Sequence, residues 1–362
     1  MKAVRIFEHG DVDVLKYDDY PMPEVGEYDV LVKVMATSVS GWDLKYRRGD
    51  FYHLKEGAGA LPGRKAFPLP QQLGREATGE VVEVGSRVTR FKPGERVLGL
   101  VHPENPYCDN AIRGLGNLST EIDYPGHTMF GGNAQFISRP EHYFMPLPDN
   151  VSFQAAAAGA WAYPTSYRIV QNRLKVKPND TIMVTGTAGG MGIATLQWAK
   201  LMGARVIGVT RNEEKIPHLI KLGCDQVIDT TQKVEENRQL MQHFTQNKGI
   251  DHAVEFTGSA YLQELILKTI RVGGNLCPVG GDMSQHPFPV RVMDFTRLEL
   301  NMVGIRGSRL IDQVTYLQAL SDKKIEPVVF KTLPLSRIVD AHLLAEKGKN
   351  IVGKVMLDPW SE

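Results

Sequence analysis

A chain of 362 residues has room for about two domains, each with a core of its own. Apolar residues make up 42% and charged residues 23%, the balance of a water-soluble globular protein, and a net charge of +1 leaves no basic excess to recruit nucleic acid or an anionic membrane. The three cysteines, Cys108, Cys224 and Cys277, share no Cys-x-x-Cys spacing and support neither a disulfide framework nor a thiolate zinc cluster.

The opening Met1-Lys2-Ala3-Val4-Arg5-Ile6 lacks the apolar run of a signal peptide. No stretch of about 18 apolar residues could span a bilayer, so a cytoplasmic location is expected. Up to about residue 150 the chain reads as β-rich and is densely punctuated by Gly and Pro. Residues 30–35 and 79–84 are runs suited to strands, and Gly94-Glu95-Arg96-Val97-Leu98-Gly99 is a turn entering another. Residues 51–72 and 102–133 read as long loops, a length that is usually functional.

Near residue 152 the character changes. Residues 154–161 are alanine-rich and helical. Strands are expected at 181–185, 205–210, 226–229, 252–256 and 275–279, with helices at 193–202 and 213–222 between them. Strands alternating with helices imply an α/β fold with a doubly wound parallel sheet. The tail returns to short strands and ends in Gly353-Lys354-Val355-Met356-Leu357.

Between the first of these strands and its helix lies Gly186-Thr187-Ala188-Gly189-Gly190-Met191-Gly192. Glycine serves here for a sharp turn, for close approach of backbone to a pyrophosphate, and for tight packing of helix on strand. The free N–H groups of the helix start then face the phosphates. A dinucleotide site is the expectation; a structural glycine turn is the plainer alternative.

The next strand ends Thr210-Arg211-Asn212, with Lys215 one helical turn on. An NAD site usually ends this strand with Asp or Glu, which binds the ribose 2′-hydroxyl. Arg211 instead suits a 2′-phosphate, which favours NADPH over NADH. The alternative is that Arg211 and Lys215 are solvated charges beside Glu213 and Glu214.

Over essentially the whole chain, these features resemble the medium-chain dehydrogenase/reductase superfamily. The matching segments run from Gly74-Arg75-Glu76-Ala77-Thr78-Gly79-Glu80-Val81-Val82-Glu83-Val84-Gly85, through Lys92-Pro93-Gly94-Glu95-Arg96-Val97 and Gly131-Gly132-Asn133-Ala134-Gln135-Phe136, to the glycine turn and Gly353-Lys354-Val355. The resemblance implies a GroES-like β domain over 1–156, a Rossmann nucleotide-binding domain over 157–323 and a return to the first domain over 324–362. It also implies a homodimer or homotetramer.

Zinc members of that superfamily carry Cys, His and Cys as catalytic ligands. The corresponding positions here read Ser40, Arg75 and Trp161, none of them a zinc donor. The region of the structural zinc lobe holds only Cys108. The chain therefore looks like the zinc-free branch of quinone oxidoreductases and enoyl reductases. The stretch 125–136, with Thr165-Ser166-Tyr167-Arg168 and the glycine turn, is similar to crotonyl-CoA reductases. Gly126-His127 and Tyr163 depart from the carboxylating members of that group, which argues against carboxylation. A site rewired around His53, His102 and His127 is the metal-bearing alternative.

The resemblance implies further cofactor positions: Thr165 beside the nicotinamide, Val279, Gly280 and Gly281 at one strand end, Ile305, Arg306 and Gly307 at the next, and Lys354 at the phosphates. In the segments that replace the zinc site, Lys45, Tyr46, Tyr52 and Arg75 are candidate hydrogen-bond donors, with Tyr46 and Tyr52 competing as proton donor. A buried Arg75 needs a partner such as Glu76 or Asp43. Trp42 and Trp161 would wall an apolar pocket or simply pack a core.

The expected chemistry is transfer of hydride from NADPH to an activated C=C bond, with an enolate stabilised by donors. The substrate would be a small molecule, with acyl-CoA among the options. Arg47-Arg48, Arg64-Lys65 and Arg297 could contact coenzyme A phosphates or stand solvated. A quinone reductase, an alcohol or aldehyde dehydrogenase with a rewired metal site, and a non-catalytic NADPH-binding relative remain as alternatives.

Overall fold

The computed structural model describes residues 1–50, 67–280, 291–348 and 350–362. The chain divides into two compact units. Unit 1 comprises Met1–Pro164, Gly307–Gly348 and Lys354–Glu362; unit 2 comprises Thr165–Arg306 and Lys349–Gly353. These divisions fall at 164 and 306, where the sequence suggested 156 and 323. The helix Leu310–Ser321 goes with unit 1 because Tyr316, fully buried, sets its hydroxyl 3.1 and 2.9 Å from the carbonyls of Ala155 and Ala156.

Unit 1 is built from strands β1 (Lys2–Ile6), β2 (Lys16–Asp19), β3 (Asp29–Val39), β4 (Gln71–Gln72), β5 (Ala77–Val84), β6 (Arg96–Gly99), β7 (Phe136–Pro140) and β8 (Phe144–Pro146). β3 is the hub. It pairs antiparallel with β5, with β7, and near its end with a strand from the chain's far terminus. Its approach to β5 needs Gly79, because a Cβ there would lie 2.0 Å from the Lys33 carbonyl oxygen. Val30, Val32, Val34, Val81, Val97, Ile137 and Phe144 meet in the core beneath, the inward members of period-two strands. β1 forms a smaller sheet with β2 and β4. β4 takes up the end of the expected 51–72 loop; residues 51–66 lie outside the described residues. The 102–133 loop holds a short helix, Asp109–Ile112, and a 3-10 turn, Gly116–Leu118.

Unit 2 carries β9 (Thr181–Val184), β10 (Arg205–Thr210), β11 (Gln226–Asp229), β12 (Ile250–Glu255), β13 (Ile270–Pro278) and β14 (Asn301–Met302). All pair in parallel, in the order β11-β10-β9-β12-β13-β14. Numbered within the unit, this is 3-2-1-4-5-6, the doubly wound order whose crevice opens between the first and fourth strands. Both faces are covered, so the central strands are apolar runs: Thr181–Val184 is buried throughout. The chain then returns to unit 1 as β15 (Val329–Pro334) and β16 (Lys354–Asp358), and β16 supplies the terminal partner of β3.

Two expected helices are interrupted. The 213–222 segment is a 3-10 turn, Glu213–Lys215, followed by helix Ile216–Lys221, because the Asn212 side chain caps the turn at Glu214 N and Pro217 starts a new helix. The 154–161 segment ends at Gly159, and a second helix covers Ala162–Tyr167. Among the described residues no helix is long and apolar enough to cross a membrane.

Candidate active site

In unit 2 the glycine turn joins β9 to helix α2 (Gly190–Leu201), where the sequence suggested a helix start at 193. Gly186 has φ 58°, in the region that favours glycine. A Cβ at Gly192 would lie 2.3 Å from the Gly186 carbonyl oxygen, so the first turn of α2 closes on the loop only with glycine there. Thr187 is buried and pins the loop to both neighbours: its hydroxyl donates to Val184 O at 2.5 Å and accepts from Val209 N at 2.7 Å. Gly189 caps α2 with no side-chain bond, and the first turn carries no acid. The orphan N–H groups of α2 are left for an anion, as a dinucleotide pyrophosphate requires. Ala188 accepts from Gly353 N at 2.9 Å, and Met191 accepts from Thr195 Oγ1 at 2.8 Å.

At the tip of β10, Thr210 Oγ1 lies 3.1 Å from both Asn212 N and Asn212 O. Arg211 is exposed. Lys215 is half-buried, and burial, followed by the charge of Arg211, holds its ammonium below the ordinary lysine range. Two cations thus converge where an NAD site has a carboxylate. At the β12 end, Glu255 O accepts from Val279 N and Gly280 N, and a Cβ at Gly280 would meet Phe256 O at 1.8 Å. Ile305 and Arg306 follow β14, half-buried; Gly281 lies outside the described residues. The hydroxyl of Thr165 is buried without a hydrogen-bond partner among the described residues, as a position awaiting a ligand would be. These residues fit a nicotinamide dinucleotide.

A further network was missed at sequence level. Glu255, fully buried, accepts from Thr185 Oγ1, from Thr257 N and Oγ1, and from Gly258 N. It ties the ends of β9 and β12 together. An acid directly after the apolar Ala253-Val254 pair of β12 was the available signal.

In unit 1 the candidate donors gather at α1 (Gly41–Arg48). Ser40 caps this helix, donating from Oγ to Asp43 Oδ2 at 2.6 Å while Asp43 N donates back at 3.3 Å. Asp43 is wholly buried and also accepts from Gly74 N at 3.0 Å; burial raises its carboxyl above the ordinary value, against these hydrogen bonds. Gly74, at φ 94°, then turns the chain so that Arg75 enters the interior.

Arg75 is 5% exposed. Its Nη1 donates to Tyr46 Oη at 3.2 Å and its Nη2 to Val101 O at 2.8 Å. The guanidinium lies 4.5 Å from the Trp161 ring centroid, in cation–π range. Its Nε has no partner among the described residues. Neither Glu76 nor Asp43 pairs with it, contrary to the sequence expectation. Asp43 is engaged by Ser40 and Gly74. Glu76 accepts from Ser38 Oγ, Trp161 N and the Lys354 ammonium.

Tyr46 is buried, stacked on His127 with centroids 4.9 Å apart and tilted against Phe67. Trp42 stacks on Trp161 at 5.7 Å and is 38% exposed. Lys45 lies over Trp42, 5.8 Å from its centroid. Tyr52 lies outside the described residues. Lys354 is engaged by Glu76, and Gly307 belongs to unit 1, against His102.

A zinc ion does not fit the residues at the ligand positions. Ser40 is engaged in the cap, Arg75 is a cation, and Trp161 offers an indole. Among the described residues no group of three His, Cys, Asp or Glu is placed to hold a metal. His127 packs on Tyr46, and His102 sets its edge on Trp161 at 5.5 Å; His53 is outside the described residues. Of the cations proposed for coenzyme A, Arg47 and Arg48 are both bound to Glu346 and Arg297 is exposed. Arg64 and Lys65 lie outside the described residues. Tyr163 is buried, donating to Glu326 O at 3.0 Å.

Comparison with known proteins agrees with this architecture. A family model described as an alcohol dehydrogenase GroES-like domain matches residues 26–149, and one described as a zinc-binding dehydrogenase matches 190–322. The chain is 27% identical to an L-threonine 3-dehydrogenase of Rhizobium etli, covering 94% of each. It is 29% identical to an acryloyl-coenzyme A reductase of Metallosphaera sedula, covering 99% of each. A crystal structure of an NAD-dependent alcohol dehydrogenase superposes with a TM-score of 0.86 at 29% identity, covering 99% of each chain. With a GroES-like domain, a 3-2-1-4-5-6 Rossmann sheet and relatives matched end to end, this chain is an oxidoreductase of the medium-chain dehydrogenase/reductase superfamily.

Proposed function

We propose that this protein is an NADPH-dependent reductase of activated alkenes, such as enoyl thioesters or enones, working without a catalytic metal ion. The observation that carries this reading is the Arg75–Tyr46 pair. Where zinc relatives have an imidazole ligand, this chain has a buried guanidinium that holds a phenol oxygen and whose Nε has no partner among the described residues.

The bound dinucleotide supplies a hydride. The acceptor's carbonyl oxygen takes hydrogen bonds from Arg75, and these strengthen as enolate charge collects on it. The Tyr46 oxygen already accepts from Arg75, which favours release of its own proton toward the α-carbon. Trp42 and Trp161 offer an apolar wall for the conjugated chain. Arg211 and Lys215 support NADPH over NADH. The length-wide likeness to an acryloyl-coenzyme A reductase supports the alkene, while the threonine and alcohol dehydrogenase relatives support only the oxidoreductase class. A quinone acceptor is the second reading, favoured by the likeness to a quinone oxidoreductase of Mus musculus.

The test is NADPH oxidation by the purified protein against crotonyl-CoA, acryloyl-CoA, cyclohexenone, a benzoquinone, and threonine or ethanol with NAD⁺. Turnover of at least one alkene, unchanged by chelator, is expected. Turnover of threonine or an alcohol alone, or activity that tracks zinc content, overturns the proposal.

A further inference from the structure

β7 alternates half-buried and buried residues, and its inward positions are Ile137 and Arg139. Arg139 is 1% exposed, within a core otherwise lined by Val30, Val97, Tyr143 and Phe144. Its Nη2 donates to Phe130 O at 3.1 Å. Its Nε and Nη1 have no hydrogen-bond partner among the described residues, and no described carboxylate forms an ion pair with it. A buried guanidinium without a counter-charge is strongly destabilising in general. Burial, then the charge of Arg75, lowers Arg139 to about 9, so it stays a cation at neutral pH.

The same two stretches of chain hold both guanidinia. Arg75 Nη2 donates to Val101 O; Gly99, two residues earlier, admits Arg139, whose Nη1 is 3.2 Å from where a Cβ of residue 99 would stand. Phe130, the acceptor for Arg139, precedes Gly131, whose N–H donates to Gln72 O at 2.7 Å and where a Cβ would lie 2.3 Å from Leu73 O and 2.5 Å from Gly74 O, just before Arg75.

We propose that Arg139 is a positioning residue for the reduction: a second buried cation that acts through Arg75 to raise the positive potential where the acceptor's oxygen gathers charge. Two like charges in one core oppose each other until negative charge develops beside them. The strain is therefore relieved in the transition state rather than in the resting protein. Together they supply, in organic form, positive charge that zinc relatives draw from a metal. The inference rests on Arg75 being the donor to the acceptor's oxygen.

The test is Arg139→Met and Arg139→Lys, read by thermal melting and by steady-state kinetics on the best alkene. Arg139→Met is expected to raise Tm by about 3 °C, because an uncompensated charge leaves the core. It is expected to lower kcat about tenfold, with the KM for NADPH unchanged and most of kcat restored in Arg139→Lys. An unchanged kcat, or kcat and Tm falling together, overturns the proposal; the second outcome marks an ordinary structural residue. If the wild type turns over no alkene, the functional reading fails on its own. A melting cycle with Arg75→Met then still decides the coupling: less-than-additive gains support it, and additive gains overturn it.

Discussion

At the scale of single residues, charge and proton position carry the chemistry. Tyr46→Phe removes the phenol proton but keeps the ring stacked on His127, so kcat on an alkene should fall roughly 100-fold with little change in Tm. Wild-type kcat in that variant would remove Tyr46 as proton donor. Arg211→Asp should raise the KM for NADPH about 30-fold and leave that for NADH nearly unchanged, since one charge-assisted pair is replaced by repulsion. Equal effects on both cofactors would make Arg211 a general surface charge. Lys215 adds a pH dependence. Its ammonium binds a 2′-phosphate only when protonated, and its pKa lies below the usual lysine value. Selectivity for NADPH over NADH should therefore decline as pH rises through that lowered value, down to the part that Arg211 alone supplies; isothermal titration across alkaline pH measures this.

At the scale of elements, α1 and α2 solve opposite problems at their N-termini. Among the described residues no side chain caps the start of α2, so a side chain crowding the loop should cost binding rather than folding. Gly192→Ala would press a methyl against the Gly186 carbonyl oxygen and should abolish measurable NADPH binding while Tm drops by only a few degrees. α1 instead closes its end with Ser40 and the buried Asp43. Because the Asp43 value is raised on folding, the group favours the folded state below the ordinary carboxylate pKa of 3.8. That contribution is lost as pH rises from there through the raised value. Asp43→Asn should flatten this segment of the stability-versus-pH curve, as read by urea midpoints from pH 4 to 8.

What the sequence made legible follows the range of the interactions. The glycine turn, β10 and β11 were readable because strand, turn and helix signals lie within about 30 residues of one another. The Ser40–Asp43 cap was within reach for the same reason. The partners of Glu76 were not: Lys354 stands 278 residues away, and Glu76 beside Arg75 in sequence suggested the wrong pair. Nothing local marked Val101 O as the acceptor for Arg75, because a backbone carbonyl has no signature in composition. Arg139 was hidden by the ordinary expectation that arginine on a strand faces water.

At the scale of the molecule, the two units differ in how their strands are drawn from the chain. All six strands of the unit 2 sheet come from one continuous stretch, 181–302. The unit 1 sheet is different: β3, its hub, waits for β16, with Val39 opposite Val355 and Thr37 opposite Leu357. During synthesis the nucleotide-binding sheet can close while the first domain still lacks a strand at its centre. The early β-rich segment must then persist for most of translation with a hydrogen-bonding edge of β3 open to other chains. A nascent chain halted before residue 354 should protect unit 2 from proteolysis while its N-terminal half stays open to cleavage. It should also recruit chaperones through its N-terminal half. The short β3–β16 pairing, made across most of the chain's length, fastens the finished domain and so makes it the last to finish and the first to be at risk of misassembly.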